Sequence, residues 1–261
     1  RKTADHEARE RNRAQIDGLK AEGRRAIADR NVVRATRPLE TLRTLDPSAA
    51  ADLEVQIREL EFDLGVGELQ GLADRGEADP FRALFARLDG PPYRSQRDRD
   101  GRLGRPALSL GLALMKAKEP RAGDAVPWLD KAGALGVHDW KLYEQRGLAH
   151  IALGAWDLAE KDLREFRSRA PRTEATPIRF ADLWVHKARE AMKRDQPAEA
   201  LLHLNEAIQL DGTHATALHH NGLARYRTRG LAREALDDLD LALRHDPRLV
   251  PDREYATVAL A

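Results

Sequence analysis

A recurring spacing of apolar residues limits the fold of this 261-residue chain more than any other feature. In the clearest copy, Ala159 is followed by Leu163, Phe166 and Pro171, at offsets of 4, 7 and 12 residues. Elsewhere the same offsets recur with Ala or Leu at the third position, and Gly replaces Pro once. The further copies begin at Ala35, Ala200 and Ala235, and a fainter one begins at Ala125.

The physical meaning of these offsets is an amphipathic helix with a defined end. Offsets of four and seven residues place the three apolar side chains on one helix face. A Pro or Gly after the last turn ends the helix, as in Asp46-Pro47 and Asp211-Gly212. A helix hairpin cannot bury its apolar face alone, so the spacing predicts hairpins that stack on one another.

The unit over residues 140–173 matches a known helical repeat position by position. Tyr143, Gly147, Ala159, Leu163 and Pro171 fill the Trp, Gly, Ala, Phe and Pro positions of the 34-residue tetratricopeptide repeat. The chain therefore resembles the tetratricopeptide repeat family. This resemblance implies an all-α fold, a right-handed superhelical solenoid of stacked antiparallel helix hairpins. The repeat-like units are 16–49, 140–173 and 215–248, with a looser copy at 180–213.

The repeats and the breaks between them predict three regions. Residues 1–90 are expected to form an N-terminal helical extension and two repeat-like hairpins. Residues 91–105, rich in Arg, Gly and Pro, are expected to form a loop. Residues 106–261 are expected to form four hairpins with a C-terminal capping helix after Pro251. Seven residues beyond the repeat length lie around 172–179.

Composition excludes several kinds of function. Lys plus Arg is 44 and Asp plus Glu is 43, so the net charge of +1 argues against a dedicated nucleic-acid binder. The longest mostly apolar stretch, residues 107–115, is too short to cross a bilayer. The chain has no cysteine, so it has no disulfide, thiol nucleophile or Cys-bound zinc.

We find no catalytic or metal-binding motif, and we therefore expect no enzyme activity and no cofactor. His214 and His219 are five residues apart, whereas a helical metal pair needs a spacing of four. The acidic run that includes Asp238 is interpreted as a solvated helix surface. Trp156 falls at a position inside a repeat, where we favour packing over a ligand cage.

The resemblance implies that the first helix of each hairpin lines a concave groove that binds a peptide or another protein. Groove-facing positions lie just before and just after the Gly position of the repeat. Carried over to this sequence, the predicted partner-binding residues are Lys20, Arg24, Lys141, Glu144, Leu148, Ile151, Val185, Arg189, Met192, His219, Leu223 and Tyr226.

Two other hypotheses stay open beside the peptide-binding scaffold. One is a sensory or regulatory segment of a larger bacterial protein that is tethered to a kinase or a membrane helix. Its basis is the absence of an initiating Met and the densely charged start of the chain. The other is an all-helical enzyme. An uncovered solenoid end would also allow self-association. For the compartment, which the sequence does not fix, we favour the cytoplasm.

Overall fold

The described part of the protein consists of helices and the turns that join them. The computed structural model describes residues 2–93, 99–171, 173, 176, 178–229 and 232–249. No β-strand occurs within these ranges, so the predicted all-α class is confirmed. The capping helix predicted after Pro251 and residues 94–98 of the predicted loop lie outside the described residues.

The chain divides into two compact units. The N-terminal unit comprises the residues up to 113 together with 131–137, and the C-terminal unit comprises 114–130 and the residues from 138 onward. The boundary therefore passes through two helices, and not through the segment that we predicted as a dividing loop.

Five helices open the N-terminal unit. They are α1 (Lys2–Ala28), α2 (Val32–Thr36), α3 (Leu39–Leu45), α4 (Pro47–Asp74) and α5 (Ala78–Asp89). Helices α1, α2 and α3 pack against α4, and α4 packs against α5. The three apolar residues of the copy that begins at Ala35 are all buried in this core, as the offsets predict.

The second helix of the first predicted hairpin is divided into α2 and α3. Pro38 lies at the division, because proline has no backbone N–H to donate to the preceding turn. The helix resumes at once, since the N–H of Leu42 donates to the carbonyl of Pro38. At the end of α3, Asp46 accepts a hydrogen bond from the N–H of Ala49 at 3.0 Å. The predicted helix stop is therefore also the N-cap of α4.

Helix α6 (Arg99–Lys116) begins inside the segment that we predicted to be a loop, so that prediction was wrong for its last residues. Tertiary contacts stabilise the first turns of this helix. Arg102 donates to Glu59 of α4 at 2.5 Å. Gly104 allows a close approach, because a Cβ there would lie 2.7 Å from Cγ2 of Val137. These partners are distant in sequence, which is why local Gly and Pro content gave the wrong prediction.

The C-terminal unit contains three successive helix hairpins. Helix α7 (Ala122–Ala134) precedes them and crosses the boundary between the units. The hairpins pair α8 (Trp140–Ala152) with α9 (Trp156–Arg169), α10 (Ala181–Lys193) with α11 (Pro197–Leu210), and α12 (Ala215–Arg229) with α13 (Ala232–His245). A short 3-10 turn, Ile178–Phe180, leads into α10. Helix α12 also packs on α10 and α11, so the hairpins are stacked.

The repeat positions have the same environment in all three hairpins. Ala159, Ala200 and Ala235 lie on the second helices with 0% of their surface exposed. On the first helices, a Cβ at Gly147 would lie 2.8 Å from Cζ of Phe180, and one at Gly222 would lie 2.7 Å from the carbonyl oxygen of Ala235. The stacked antiparallel hairpins of a tetratricopeptide-like fold are therefore confirmed.

Candidate functional site

A cavity of about 410 Å³ opens on the first helices of the C-terminal unit. We call it the groove. Helices α8 and α10 supply most of its lining, and the starts of α9 and α12 and the 3-10 turn before α10 supply the rest. Four of the predicted partner-binding residues meet here, namely Leu148, Ile151, Val185 and Arg189.

The apolar wall of the groove belongs partly to the protein core. Leu148 and Val185 are only 5% and 6% exposed, because each also packs between helices. Ile151, one turn after Leu148, is half-buried, and Ala152 is exposed. Leu148 and Val185 were predicted as groove-facing side chains, but their burial limits them to forming the wall.

Two cations of the groove have no acidic partner among the residues that the structure describes. Arg179 and Arg189 are exposed, and neither forms an ion pair with any carboxylate in the described ranges. The groove carboxylate of Asp182, in contrast, lies 3.0 Å from Nε2 of His214. This hydrogen bond raises the pKa of His214, and burial opposes the rise. Within the described part of the chain, Asp182 is the one carboxylate in the groove lining against two arginines, so the lining carries a positive excess.

One wall of the groove is an aromatic stack. The rings of Trp156 and His186 lie 4.2 Å apart and only 10° from parallel. Burial lowers the pKa of His186, so its ring is neutral at pH 7. We favoured packing for Trp156, and its stack agrees with that reading, although the ring also lines the groove.

A second cavity, of about 320 Å³, has Trp156 and His186 as lining residues too. We call it the acidic cavity, since its lining includes four carboxylates against two cations. The carboxylates are those of Asp157, Glu160, Glu190 and Glu199, and the cations are Lys187 and Arg194.

Ion pairs connect most charges of the acidic cavity. Lys187 Nζ lies 2.6 Å from Glu160, and Arg194 lies 3.1 Å from Glu199. The hydrogen bond from Lys187 is the main cause that lowers the pKa of Glu160. Burial lowers the pKa of His203, which also lines this cavity.

The other predicted partner-binding residues lie outside the groove lining. Leu223 is 5% exposed, and Met192 and Tyr226 pack against the same small core cluster. Burial limits Leu223 to the core, whereas Met192 and Tyr226 are only partly buried, so their role in binding stays a prediction. Lys141 lies over the Trp140 ring at 5.4 Å.

Two further predicted residues of the C-terminal unit, Glu144 and His219, are half-buried on α8 and α12. In the N-terminal unit, Lys20 pairs with Asp46 at 3.5 Å, and Arg24 is exposed.

Sequence reasoning missed several residues of the groove. Arg179, Asp182, His186 and His214 were not predicted, although they supply its charge and part of its wall. One signal was present, because Arg179 ends the seven-residue excess between two repeat copies. An insertion beside a repeat is a natural place for a side chain that the repeat itself does not provide.

The described ranges lack both a metal-binding cluster and a membrane-spanning helix. They contain no group of three His, Asp or Glu side chains placed to hold a metal ion. None of the helices in those ranges combines the length and apolar character that a bilayer crossing requires.

Comparisons with known proteins show similar structures but no family. No protein family matches this sequence, and no curated protein matches it. A crystal structure of MamA shares 19% identity over 69% of this chain and 94% of its own, with a TM-score of 0.41. A second structure of MamA shares 18% identity over 70% and 93%, with a TM-score of 0.43.

A larger assembly gives a similar result. The crystal structure of the APC/C hetero-tetramer Cut9-Hcn1 shares 17% identity with this chain over 93% of its length, and over 42% of that chain, with a TM-score of 0.39. At TM-scores below 0.5, these similarities identify neither a family nor a partner for this protein.

Proposed function

We propose that the protein is an interaction scaffold whose groove binds an extended segment of a partner protein. The observation that carries this proposal is the meeting of Leu148, Ile151, Val185 and Arg189 around one open cavity on the first helices. The resemblance to tetratricopeptide repeats predicted these positions as partner-binding.

The size and lining of the groove support this function. A volume of about 410 Å³ falls within the range of roughly 300–1,000 Å³ that is usual for ligand sites. Interfaces favour an apolar centre with Arg and aromatic residues around it. The groove has this composition, with Leu148 and Val185 in its wall and Trp156 and Arg189 beside them.

Peptide display provides a direct test. The immobilised protein would be used to select from a random peptide library, and selected peptides would be measured by fluorescence anisotropy. Ala152 is exposed and lines the groove, so Ala152→Trp would fill the groove without disturbing the core. Ala198 is exposed on α11 and lines neither cavity, so Ala198→Trp is the matched control.

We expect selected peptides to bind the wild-type and Ala198→Trp proteins equally and to bind Ala152→Trp at least about tenfold more weakly, a loss of about 1.4 kcal/mol. The proposal is contradicted if no peptide is selected. It is also contradicted if Ala152→Trp binds the selected peptides as tightly as the control does.

A further inference from the structure

We infer that the groove selects an extended acidic peptide in which one apolar side chain lies midway between two carboxylates. This inference rests on the proposed function and specifies the chemistry of its ligand. In the preferred sequence, the acidic, apolar and acidic residues occupy alternate positions, two residues apart.

The acidity of the ligand follows from the arginines that have no carboxylate partner in the described part of the chain. Arg179 and Arg189 are exposed and, among the described residues, lack a carboxylate partner. Asp182 is already bound to His214, so the groove does not neutralise its own arginines. A guanidinium group matches a carboxylate through two parallel hydrogen bonds, which makes arginine an effective carboxylate receptor.

The spacing follows from the helix that carries the two arginines. The 3-10 turn Ile178–Phe180 runs directly into α10, and ten residues separate Arg179 from Arg189. At 1.5 Å per residue this separation is about 15 Å along the helix. An extended peptide rises about 3.3 Å per residue, so carboxylates four residues apart span about 13 Å. Flexible arginine side chains cover the small difference.

The central apolar residue follows from what lies between the arginines. Val185 is six residues after Arg179 and four before Arg189, so it occupies the middle of this span. Leu148 and Ile151 of α8 line the same cavity. Side chains alternate across an extended peptide, so positions i, i+2 and i+4 point to one side. When the two end carboxylates of the peptide bind the arginines, the apolar side chain between them therefore lies against the wall that Val185, Leu148 and Ile151 form.

The acidic cavity restricts the same peptide to the groove. Its two lining cations are already held, Lys187 by Glu160 and Arg194 by Glu199, so neither is available to an acidic ligand. The groove, whose two arginines lack a carboxylate partner among the described residues, is therefore the cavity that attracts such a ligand.

End-capped synthetic peptides test this inference, because capping removes the terminal charges. The probe contains Glu-Ser-Leu-Ser-Glu and is measured by fluorescence anisotropy at low salt. Three variants replace both Glu with Lys, replace Leu with Ser, or shorten the spacing to Glu-Leu-Glu. We expect each to bind at least about tenfold more weakly than the probe, and we expect added salt to weaken the probe.

Charge reversal in the protein tests the two arginines separately. We expect Arg179→Glu and Arg189→Glu each to weaken the probe about ten- to a hundredfold, as for hydrogen bonds between charged groups. Arg233→Glu is the matched control, since Arg233 is exposed on α13 and lines neither cavity. The double reversal should bind the Lys peptide instead, which a merely unfolded protein would not do.

The results separate this inference from the proposed function. If display selects peptides that Ala152→Trp excludes, but those peptides are not acidic or ignore both arginine reversals, the inference is overturned and the scaffold function stands. If a single-stranded oligonucleotide binds more tightly than the probe and loses binding in the same variants, the peptide ligand is also overturned. If display selects nothing, the proposed function itself fails.

Discussion

Trp156 and His186 line both the groove and the acidic cavity, yet the two cavities differ in whether their cations are paired with carboxylates. In the acidic cavity, Lys187 and Arg194 are held by Glu160 and Glu199. In the groove, exposed arginines have no acidic partner within the described residues. Paired charges contribute to the fold, whereas charges without a partner remain available to a ligand, so two cavities with shared lining residues need not have the same function.

The largest change we expect comes from removing the side chain common to both cavities. Trp156→Ala should lower the free energy of unfolding by about 2 kcal/mol, because it loses the His186 stack and half-buried apolar area. It should also join the two cavities, so that the protein distinguishes less strongly between acidic and basic peptides. Urea unfolding and peptide titration measure the two effects. A variant as stable as wild type would show that the stack contributes nothing.

A smaller effect should follow from breaking a pair in the acidic cavity. Glu160→Gln should lower the free energy of unfolding by about 1 kcal/mol at pH 7, as expected for a partly screened charged hydrogen bond to Lys187. It should leave binding of the acidic probe in the groove unchanged.

The pH dependence of this effect has a definite sign. The pKa of Glu160 is lowered in the folded protein, so its contribution is present above the ordinary glutamate pKa of about 4.3. It is lost as the pH falls through the folded value, so the difference between variant and wild type should shrink in acid. If the stability difference between variant and wild type grew as the pH fell, this would contradict the ion pair between Glu160 and Lys187.

The smallest effect concerns the compensated carboxylate of the groove. Asp182→Asn should cost about 0.3 kcal/mol of stability, since Asp182 is mostly exposed and its pair with His214 is screened. The pKa of His214 is raised, so this contribution is full below about pH 6.5 and is lost as the pH rises through the folded value.

The same variant sharpens the contrast between the two cavities. Removal of the Asp182 charge makes the groove more positive, so the acidic probe should bind about two- to threefold more tightly at pH 6. Anisotropy titrations at pH 6 and pH 8 measure this gain, which should be at least as large at pH 8, because His214 loses its proton as the pH rises and then no longer offsets the Asp182 charge in the wild type. Weaker binding at pH 6 would contradict the role given to the groove charge.

Two aspartates at the same position of the repeat show what the sequence pattern did not predict. Asp162 and Asp238 each lie three residues after the buried alanine of their second helix. Asp162 is buried against Arg146 and His150, and Asp238 likewise lies 3.2 Å from Arg225 and accepts from Asn221 at 2.8 Å; burial raises the pKa of Asp238. We interpreted the acidic run Asp237, Asp238 and Asp240 as solvated surface, which agrees with the exposed Asp237 and Asp240 but is wrong for the half-buried Asp238. The Ala and Leu offsets identify the buried stripe but not the polar residues at its border.

The sequence by itself determined the helix hairpins, most of their ends and the small residues where helices meet. These features depend on local periodicity and on Gly and Pro signals, which a chain displays without its partners. Only the tertiary structure decided which charges are compensated. Lys187 and Glu160 are 27 residues apart, and His214 and Asp182 are 32 apart. Ion pairing needs atoms within about 4 Å, a distance that helix stacking sets and residue spacing does not reveal.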